Sequence, residues 1–314
     1  MTDDSVRVGA VADDSRGGWI PDLDTRIERV SPTVRELCSG SDRLANADRI
    51  TIVPDTHYPF HPSTGLVTDP AVVGALVDCF ETQTDAAVAV AGASNEYVAF
   101  DRTTEYLGYP ELLERFDAEL VDLTDQPRTS EILELDGRQV TFPTPRRLLE
   151  SAVVVVPTLR PTEDGLFAGG MRTLADVSDR TLDADVAAAA ATRTVDPAVS
   201  VLDATTAYGN SPTAGNALFA GTVPAVDVVG TSLLGGEVAT DGALELATDD
   251  EDTPVTVERV GANASELAFD ELEDRLSNAE LPPSNETSPA VTAAYRLYAA
   301  VGGDAVPPQL EGGR

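Results

Sequence analysis

The fold class that this sequence predicts is α/β: a single mixed or mostly parallel sheet flanked by helices, with a two-lobed shape if the strand ends open into a cleft. Three observations predict it. Short buried runs such as Arg49–Pro54 (RITIVP) and Ala152–Val156 (AVVVV) alternate along the chain with stretches whose apolar residues recur at helical spacing. Several of the strand-like runs end on Pro, Asp or Gly, the residues that stop a strand and begin a turn. No internal repeat and no mid-chain linker breaks the alternation, so one domain is expected over residues 1–301, followed by a Gly- and Pro-rich tail at 302–314.

The elements follow in order. Residues 6–11 read as an opening strand. Leu23–Cys38 has helical spacing, with an interruption expected near Pro32. Arg49–Pro54 is a buried strand stopped by proline. Thr68-Asp69-Pro70 carries a helix start, with a polar cap and Pro in the first turn, and the apolar face runs on to Phe80. Residues 86–91 form the next strand, and 92–96 a loop of small residues. A helix is expected over 106–116, a short strand over 120–123, and a hairpin over 132–142 turning at Asp136-Gly137. Ala152–Val156 is the most β-branched run and belongs at the centre of the sheet. Residues 182–192 read as an alanine-rich helix, 198–202 as a buried strand ending at Asp203, 217–220 as a further strand and 223–234 as a helix. A strand over 254–260 and helices over 265–276 and 289–300 close the chain, with 249–252 a solvated acidic loop.

Composition bears on environment. The chain of 314 residues is 42% hydrophobic, mainly Ala, Val and Leu, which is enough for a sizeable core of small side chains. Its 54 Asp and Glu face 21 basic residues, all of them arginine, for a net charge of −33. Such a carboxylate shell repels itself in ordinary buffer, and at molar salt, where the Debye length falls to about 3 Å, that repulsion is screened. Acidity together with the complete absence of lysine fits a halophilic protein from a salt-accumulating cytoplasm of the archaeal type; an acidic mesophilic protein with skewed codon usage is the plainer alternative. The same charge excludes a nucleic-acid phosphate backbone as partner. No apolar run approaches the roughly 20 residues that span a bilayer, and Met1-Thr2-Asp3-Asp4 lacks the charged and apolar regions of a signal peptide, so a cytoplasmic location with no membrane partner is expected. Two Asn-x-Ser/Thr triplets, at Asn263 and Asn285, are taken as chance occurrences in that setting.

The two cysteines, Cys38 and Cys79, form no CxxC motif, so no iron–sulfur cluster is expected. Cys79 falls in an apolar pattern and reads as a small core residue, and a reducing compartment disfavours a Cys38–Cys79 disulfide.

Three strand ends could carry chemistry, since open α/β sheets bind ligands at the carboxyl ends of their strands. The first, residues 55–62, holds both histidines of the chain. Asp55, His57 and His61 together could supply one oxygen and two nitrogens to a divalent metal ion; the plainer reading is a proline-rich loop packed on itself. The second is the turn at Gly92-Ala93-Ser94-Asn95-Glu96, a weak signal. The third is Asp203 with the loop from Tyr208 to Asn216, whose Gly209, Asn210 and Gly215 offer backbone donors to an anion, or else form a structural turn with Asp203 as a cap.

These segments, in this order, resemble the family known as domain of unknown function 362. Val53-Pro54-Asp55 stands where the family has Lys-Pro-Asn, and Thr68-Asp69-Pro70 where it has a Thr-x-Pro helix start. Gly108-Tyr109 and Val121-Asp122-Leu123 are similar to its next landmarks. Pro157-Thr158-Leu159-Arg160-Pro161-Thr162 matches Pro-Lys-Leu-Lys-Thr-His, and Arg172-Thr173-Leu174 matches Lys-Asn-Leu. Asp203 with Gly209-Asn210-Ser211-Pro212 and Gly215 matches an Asp-Gly…Gly-Asn-Gly-Pro-x-x-Gly loop, and Ala225-Val226-Asp227 an Ala-Val-Asp element. The resemblance covers roughly residues 5–240. Many relatives carry ferredoxin-type cysteine motifs, which this chain lacks, although the resemblance still allows a redox partner protein.

The family has no settled activity, so the resemblance implies an architecture and a place for the site. Arg160 and Arg172 are Lys→Arg changes that keep a positive charge, whereas Val53 and Thr158 lose it. Lysine-based covalent chemistry is excluded. Two functions are expected. One is an enzyme acting on a small anionic ligand, with Arg160 and Arg172 as a bidentate clamp and Asp203 or Asp227 as base or cation holder. The other is a catalytically degenerate ligand-binding or protein-interaction module. Convergence of Asp55, Arg172, Asp203 and Asp227 on one pocket separates the two.

Overall fold

The computed structural model describes residues 5–12, 22–57, 59–95, 98–163, 165–179, 181–247, 255–261, 263–277 and 279–281. Its strands are β1 (Ser5–Ala10), β2 (Arg49–Pro54), β3 (Ala87–Gly92), β4 (Glu119–Asp122), β5 (Arg128–Leu135), β6 (Arg138–Pro145), β7 (Ala152–Val156), β8 (Val199–Tyr208), β9 (Pro212–Gly221) and β10 (Thr256–Val260). Its helices are α1 (Leu23–Cys38), α2 (Asp42–Ala45), α3 (Pro70–Gln83), α4 (Phe100–Leu107), α5 (Tyr109–Leu113), α6 (Arg146–Leu149), α7 (Gly170–Ser178), α8 (Ala184–Val195), α9 (Val223–Leu233), α10 (Gly242–Ala247) and α11 (Phe269–Leu276). None of them is long and apolar enough to cross a membrane.

Eight strands form one sheet in the order β10-β1-β9-β8-β7-β2-β3-β4, and β5 and β6 form a separate hairpin. The large sheet is mixed and mostly parallel. Only β9 runs antiparallel to its neighbours, β8 and β1. The β-branched run β7 lies inside the sheet, paired with β2 on one side (Ile52 opposite Val154) and β8 on the other.

Side-chain alternation divides the core between the two faces. Ile50, Ile52, Val154 and Val156 point to the face covered by α1 and α3. Val53, Val153 and Val155 point to the opposite face, covered by α7 and α8. From β2 the chain crosses through α3 to β3, whereas from β7 it crosses through α7 and α8 to β8, in the opposite direction along the sheet. The strand order therefore reverses between β2 and β7. A crevice opens at the carboxyl ends of such a strand pair.

The α3 start follows the expected chemistry. Asp69 caps it by accepting from Ala71 N at 2.8 Å, and Pro70 fills the first turn, where its missing N–H costs nothing. Several expected elements come out differently. The helix at Leu23–Cys38 runs through Pro32 without a break. Tertiary packing of Val30, Val34 and Leu37 against the core outweighs the single lost backbone bond. The helix expected over 106–116 divides at Gly108, whose φ of 74° ends α4 and lets α5 start in a new direction. The expected helix over 265–276 is a 3₁₀ turn at Ala264–Glu266 followed by α11. The expected helix at 289–300, the tail at 302–314 and the acidic patch at 249–252 lie outside the described residues.

The largest difference concerns the expected ligand loop at 208–216. Here β8 and β9 pair continuously from Tyr208 opposite Pro212, with one bulge between Ala204 and Thr206. Gly209, Asn210 and Ser211 form a tight hairpin turn, and Gly215 sits within β9. The backbone groups read as donors for an anion lie largely in a strand ladder.

Candidate functional site

The crevice between β2 and β7 is built by backbone first. After β2 the chain stays in register with β7, because Asp55 N donates to Val156 O at 3.0 Å. Thr68, just ahead of α3, locks this segment: its backbone N donates to Asp55 O at 3.0 Å, and its hydroxyl donates to Val156 O at 2.5 Å. The Asp55 carboxylate is thereby fixed at the strand end with only 4% of its side chain exposed.

That carboxylate has two partners. Arg160, from the segment after β7, brings Nε to 3.1 Å and Nη2 to 3.0 Å from Oδ2. His57 Nδ1 lies 2.7 Å from Oδ1. Burial pushes the Asp55 carboxyl up, but Arg160 and His57, by charge and hydrogen bonding, outweigh it and hold Asp55 well below the usual carboxylate range. An ionised carboxylate only accepts, so in the contact with Asp55 the His57 proton sits on Nδ1. In that tautomer Arg160 Nη2, 3.2 Å from Nδ1, is a neighbour rather than a donor to it. Asn95 steadies the histidine from the other side by donating its amide to His57 O.

His57 is the part of this group that meets solvent, with 26% of its side chain exposed. It lines a shallow open depression with Pro54, Asp55 and Thr56 at the end of β2, Ala93 after β3, and Thr173, Asp176 and Val177 from α7. Two of these wall residues, Asp55 and Asp176, are acidic, and Arg160 stands behind Asp55.

Asp203 belongs to a second cluster. Its Oδ2 accepts from Asp69 N at 2.8 Å, and its Oδ1 accepts from Thr205 N at 2.9 Å and the Thr205 hydroxyl at 2.6 Å. Asp69 in turn pairs with Arg26. Burial, then the nearby Asp69 charge, pushes the Asp203 carboxyl up to about 6, against the pull of the Thr205 hydrogen bonds. This aspartate ties the start of α3 to β8.

Asp227 and Arg172 form a third cluster on the α7 side. Asp227 Oδ1 accepts from Gly170 N at 2.8 Å and Oδ2 from Met171 N at 3.0 Å, so the side chain of α9 caps the start of α7. The approach is so close that a Cβ on Gly169 would lie 2.3 Å from that carboxylate. Burial raises Asp227 to about 7, with the two N–H donors and Arg172 pulling down and Asp241 pushing up. Arg172 pairs with Asp185 at 2.6 Å and Asp241 at 3.3 Å.

The expected site residues thus divide. Asp55, His57 and Arg160 come together at the crevice. Asp203 and Asp227 hold helix starts in separate clusters, and Arg172 faces two aspartates. Asn210 Oδ1 accepts from Glu280 N at 3.1 Å, and Gly209 lies against Leu276 of α11. His61 does not complete a metal triad with Asp55 and His57. It caps the turn at Pro62–Thr64, with Nδ1 2.7 Å from the Ser63 hydroxyl. Among the described residues, no group of three or more His, Cys, Asp or Glu side chains is arranged to hold a metal ion.

Sequence reasoning missed Asp176 and Thr173 as pocket walls. Thr173 carried a signal in its place after Arg172 in the family element; Asp176 carried none.

Fold and crevice define an α/β protein whose buried Asp–Arg pair orients a histidine at the point where the strand order reverses. The chain belongs to the family described as Domain of unknown function (DUF362), whose sequence profile matches residues 50–232. The match takes in every segment that builds the crevice. A solved structure that resembles the chain is that of a Thermotoga maritima protein from a structural genomics consortium. The two share 11% identity over 70% of this chain, with a TM-score of 0.41, and the match spans 58% of that protein's length. No curated protein matches the chain.

Proposed function

We propose that the crevice pocket binds a small neutral or cationic molecule and that His57 exchanges a proton with it, as the acid–base group of an enzyme. The carrying observation is the 2.7 Å contact of His57 Nδ1 with a buried carboxylate that Arg160 holds ionised. A ring oriented in this way at the pocket wall can pass a proton to or from a bound ligand. The bidentate arginine clamp for an anionic substrate lacks support, because Arg160 and Arg172 are both engaged with aspartates. With Asp176 on the wall, the pocket favours neutral or positive ligands.

A degenerate, binding-only module is the second reading, favoured by one observation. Val53 and Thr158, at positions where the family carries lysine, are fully buried. Val53 joins the core under α7, and the Thr158 hydroxyl donates to Gly65 O at 3.3 Å. The excess of carboxylates over arginines supports function at high salt for either reading.

The test is a thermal-shift screen of small neutral, cationic and anionic compounds in molar KCl, on wild type and His57→Gln, with NMR detection of product for each hit. Neutral or cationic hits that His57→Gln loses support the site, and their turnover supports the enzyme. Hits confined to anions, or hits equally strong in His57→Gln, refute it. Binding without turnover leaves the module.

A further inference from the structure

The hairpin of β5 and β6 stands apart from the large sheet as a sheet of its own, with eight residues in each strand. Asp136 and Gly137 turn it with φ of 48° and 68°, the positive pair that a two-residue hairpin turn requires. Leu133, Leu135, Val140 and Phe142 join the core beside α7 and α8, so the alternating residues Ser130, Ile132 and Glu134 face outward. Ile132 is 70% exposed, more than any other large hydrophobic side chain among the described residues.

The two edges of this hairpin are unlike. Leu135 pairs with Arg138 beside the turn, and counting back from it Leu133–Val140 and Glu131–Phe142 also exchange both backbone hydrogen bonds. The residues between them turn their N–H and C=O groups away from the hairpin. At Glu134 that direction is occupied, since its carbonyl accepts from Arg193 of α8 at 3.3 Å. On β6 the outward positions include Pro143 and Pro145, which have no N–H to offer an added strand. On β5 there is no proline, and the residues from Arg128 to Ile132 are all exposed. An unpaired edge of this kind is a template for another strand.

We propose that β5 is a dimer interface, pairing antiparallel with β5 of a second copy about a two-fold axis at Ile132. The strand's charges fit a copy of itself: Arg128 stands at one end, and Glu134 and the turn residue Asp136 at the other. Arg128 donates to Ser178 O and to Pro143 O at 3.4 Å, and to no carboxylate among the described residues. Antiparallel pairing brings it to the acidic end of the second strand. Hydrogen-bond alternation allows only registers that set outward residues opposite outward residues. The register centred on Glu131 sets that carboxylate against its own copy, which is unfavourable. The register centred on Ile132 sets the two isoleucines together, Ser130 against the partner's Glu134, and Glu131 against the partner's Leu133. Each copy carries a net charge of −33, so the rest of the two surfaces repel, and molar salt screens that repulsion.

The experiment is sedimentation velocity of the full chain over a range of protein concentrations, in about 0.2 M and about 2 M KCl. The expected result is a monomer–dimer equilibrium that tightens with salt. Ile132→Lys sets two ammonium groups face to face and should raise the dissociation constant about tenfold, with an unchanged circular dichroism spectrum. Ile132→Cys should give a disulfide-linked dimer on mild oxidation, because paired Cα atoms in such a ladder lie about 5.5 Å apart. Gln139→Cys, on β6, should not, and both native cysteines are buried. Dimerisation as strong in Ile132→Lys as in wild type, or assemblies growing beyond two copies, would overturn the proposal. So would a wild type that stays monomeric at every concentration. In that case an Ile132→Cys thiol open to maleimide would leave the edge to a foreign strand, and a shielded one would give it to a segment of the same chain.

Discussion

Replacing Arg160 by Met keeps the length of the apolar stem and removes the charge that faces Asp55. In the native protein the pair is buried, with side-chain exposures of 9% and 4%. Removing one partner leaves Asp55 ionised with only His57 facing it, and cutting a buried ion pair in this way costs about 3–5 kcal/mol. That is a large share of the roughly 5–15 kcal/mol that holds a domain folded. The cost should depend on pH with a definite sign. In the native protein Asp55 is held below its ordinary value of 3.8, so its ionisation stabilises the fold above that pH, and the contribution is lost as pH falls below it. In Arg160→Met, burial meets weaker opposition and the folded carboxyl moves up, so the variant loses stability as pH rises. The difference between variant and wild type should therefore be largest near pH 7 and shrink toward pH 4. Urea unfolding in molar KCl, read by circular dichroism across that range, measures it. Added salt should change the difference little, because buried pairs are weakly screened. A cost below about 1 kcal/mol at neutral pH, the range of exposed ion pairs, or a difference independent of pH, would refute the reading of Asp55–Arg160 as a buried, coupled pair.

Other perturbations test the surrounding framework. Asp227, raised to about 7 from 3.8, contributes stability that is full below pH 3.8 and lost as pH rises through 7. Asp227→Asn removes that titration, so the wild type's advantage over it should decline from pH 4 to pH 8 in urea titrations; a constant difference would contradict the assignment. Gly215→Ala places a Cβ 2.2 Å from the Ala204 carbonyl oxygen, which must force β8 and β9 apart locally at a cost of about 1–3 kcal/mol. An unchanged Tm would show that Gly215 is not held in the ladder. The unfolding midpoint of the wild type should rise as KCl goes from about 0.2 M to about 2 M, since a net charge of −33 is screened over that range. A flat or falling midpoint would remove the case for salt adaptation.

The centre of the sheet was legible because β2 and β7 are buried on both faces and therefore read as continuous β-branched runs. Ala152–Val156 declared its internal place from composition alone. The start of α3 was legible because a helix cap is local chemistry, confined to Thr68, Asp69 and Pro70. The hairpin at 208–216 was not, because Gly, Asn and Ser suit a ligand loop and a tight turn equally, and only pairing with β8 decides between them. The site was half legible. Asp55, His57 and Arg160 were all singled out, but as parts of two different sites. Their union depends on β2 and β7 being neighbours, a register that no spacing in the sequence carries. His61 was grouped with Asp55 and His57 because all three fall in one short loop, and in the fold it caps the 3₁₀ turn at Pro62–Thr64 instead.

The arginine-for-lysine pattern takes on a different meaning once Arg160 is seen in place. As a sequence change it looked like salt adaptation that keeps a cation for a ligand. In the fold all three guanidinium nitrogens have protein partners: Nε and Nη2 on Asp55, and Nη1 on Pro161 O at 3.2 Å. A planar, forked group suits that geometry, whereas an ammonium at the same place would act as a single point donor. The positive charge is retained, but it serves to keep Asp55 ionised and so to orient His57. Val53 and Thr158 complete the change, since both are buried where the family carries lysine. With Arg160 turned inward onto Asp55, the group left at the surface of the crevice is His57, and it is this side chain that the proposed chemistry uses.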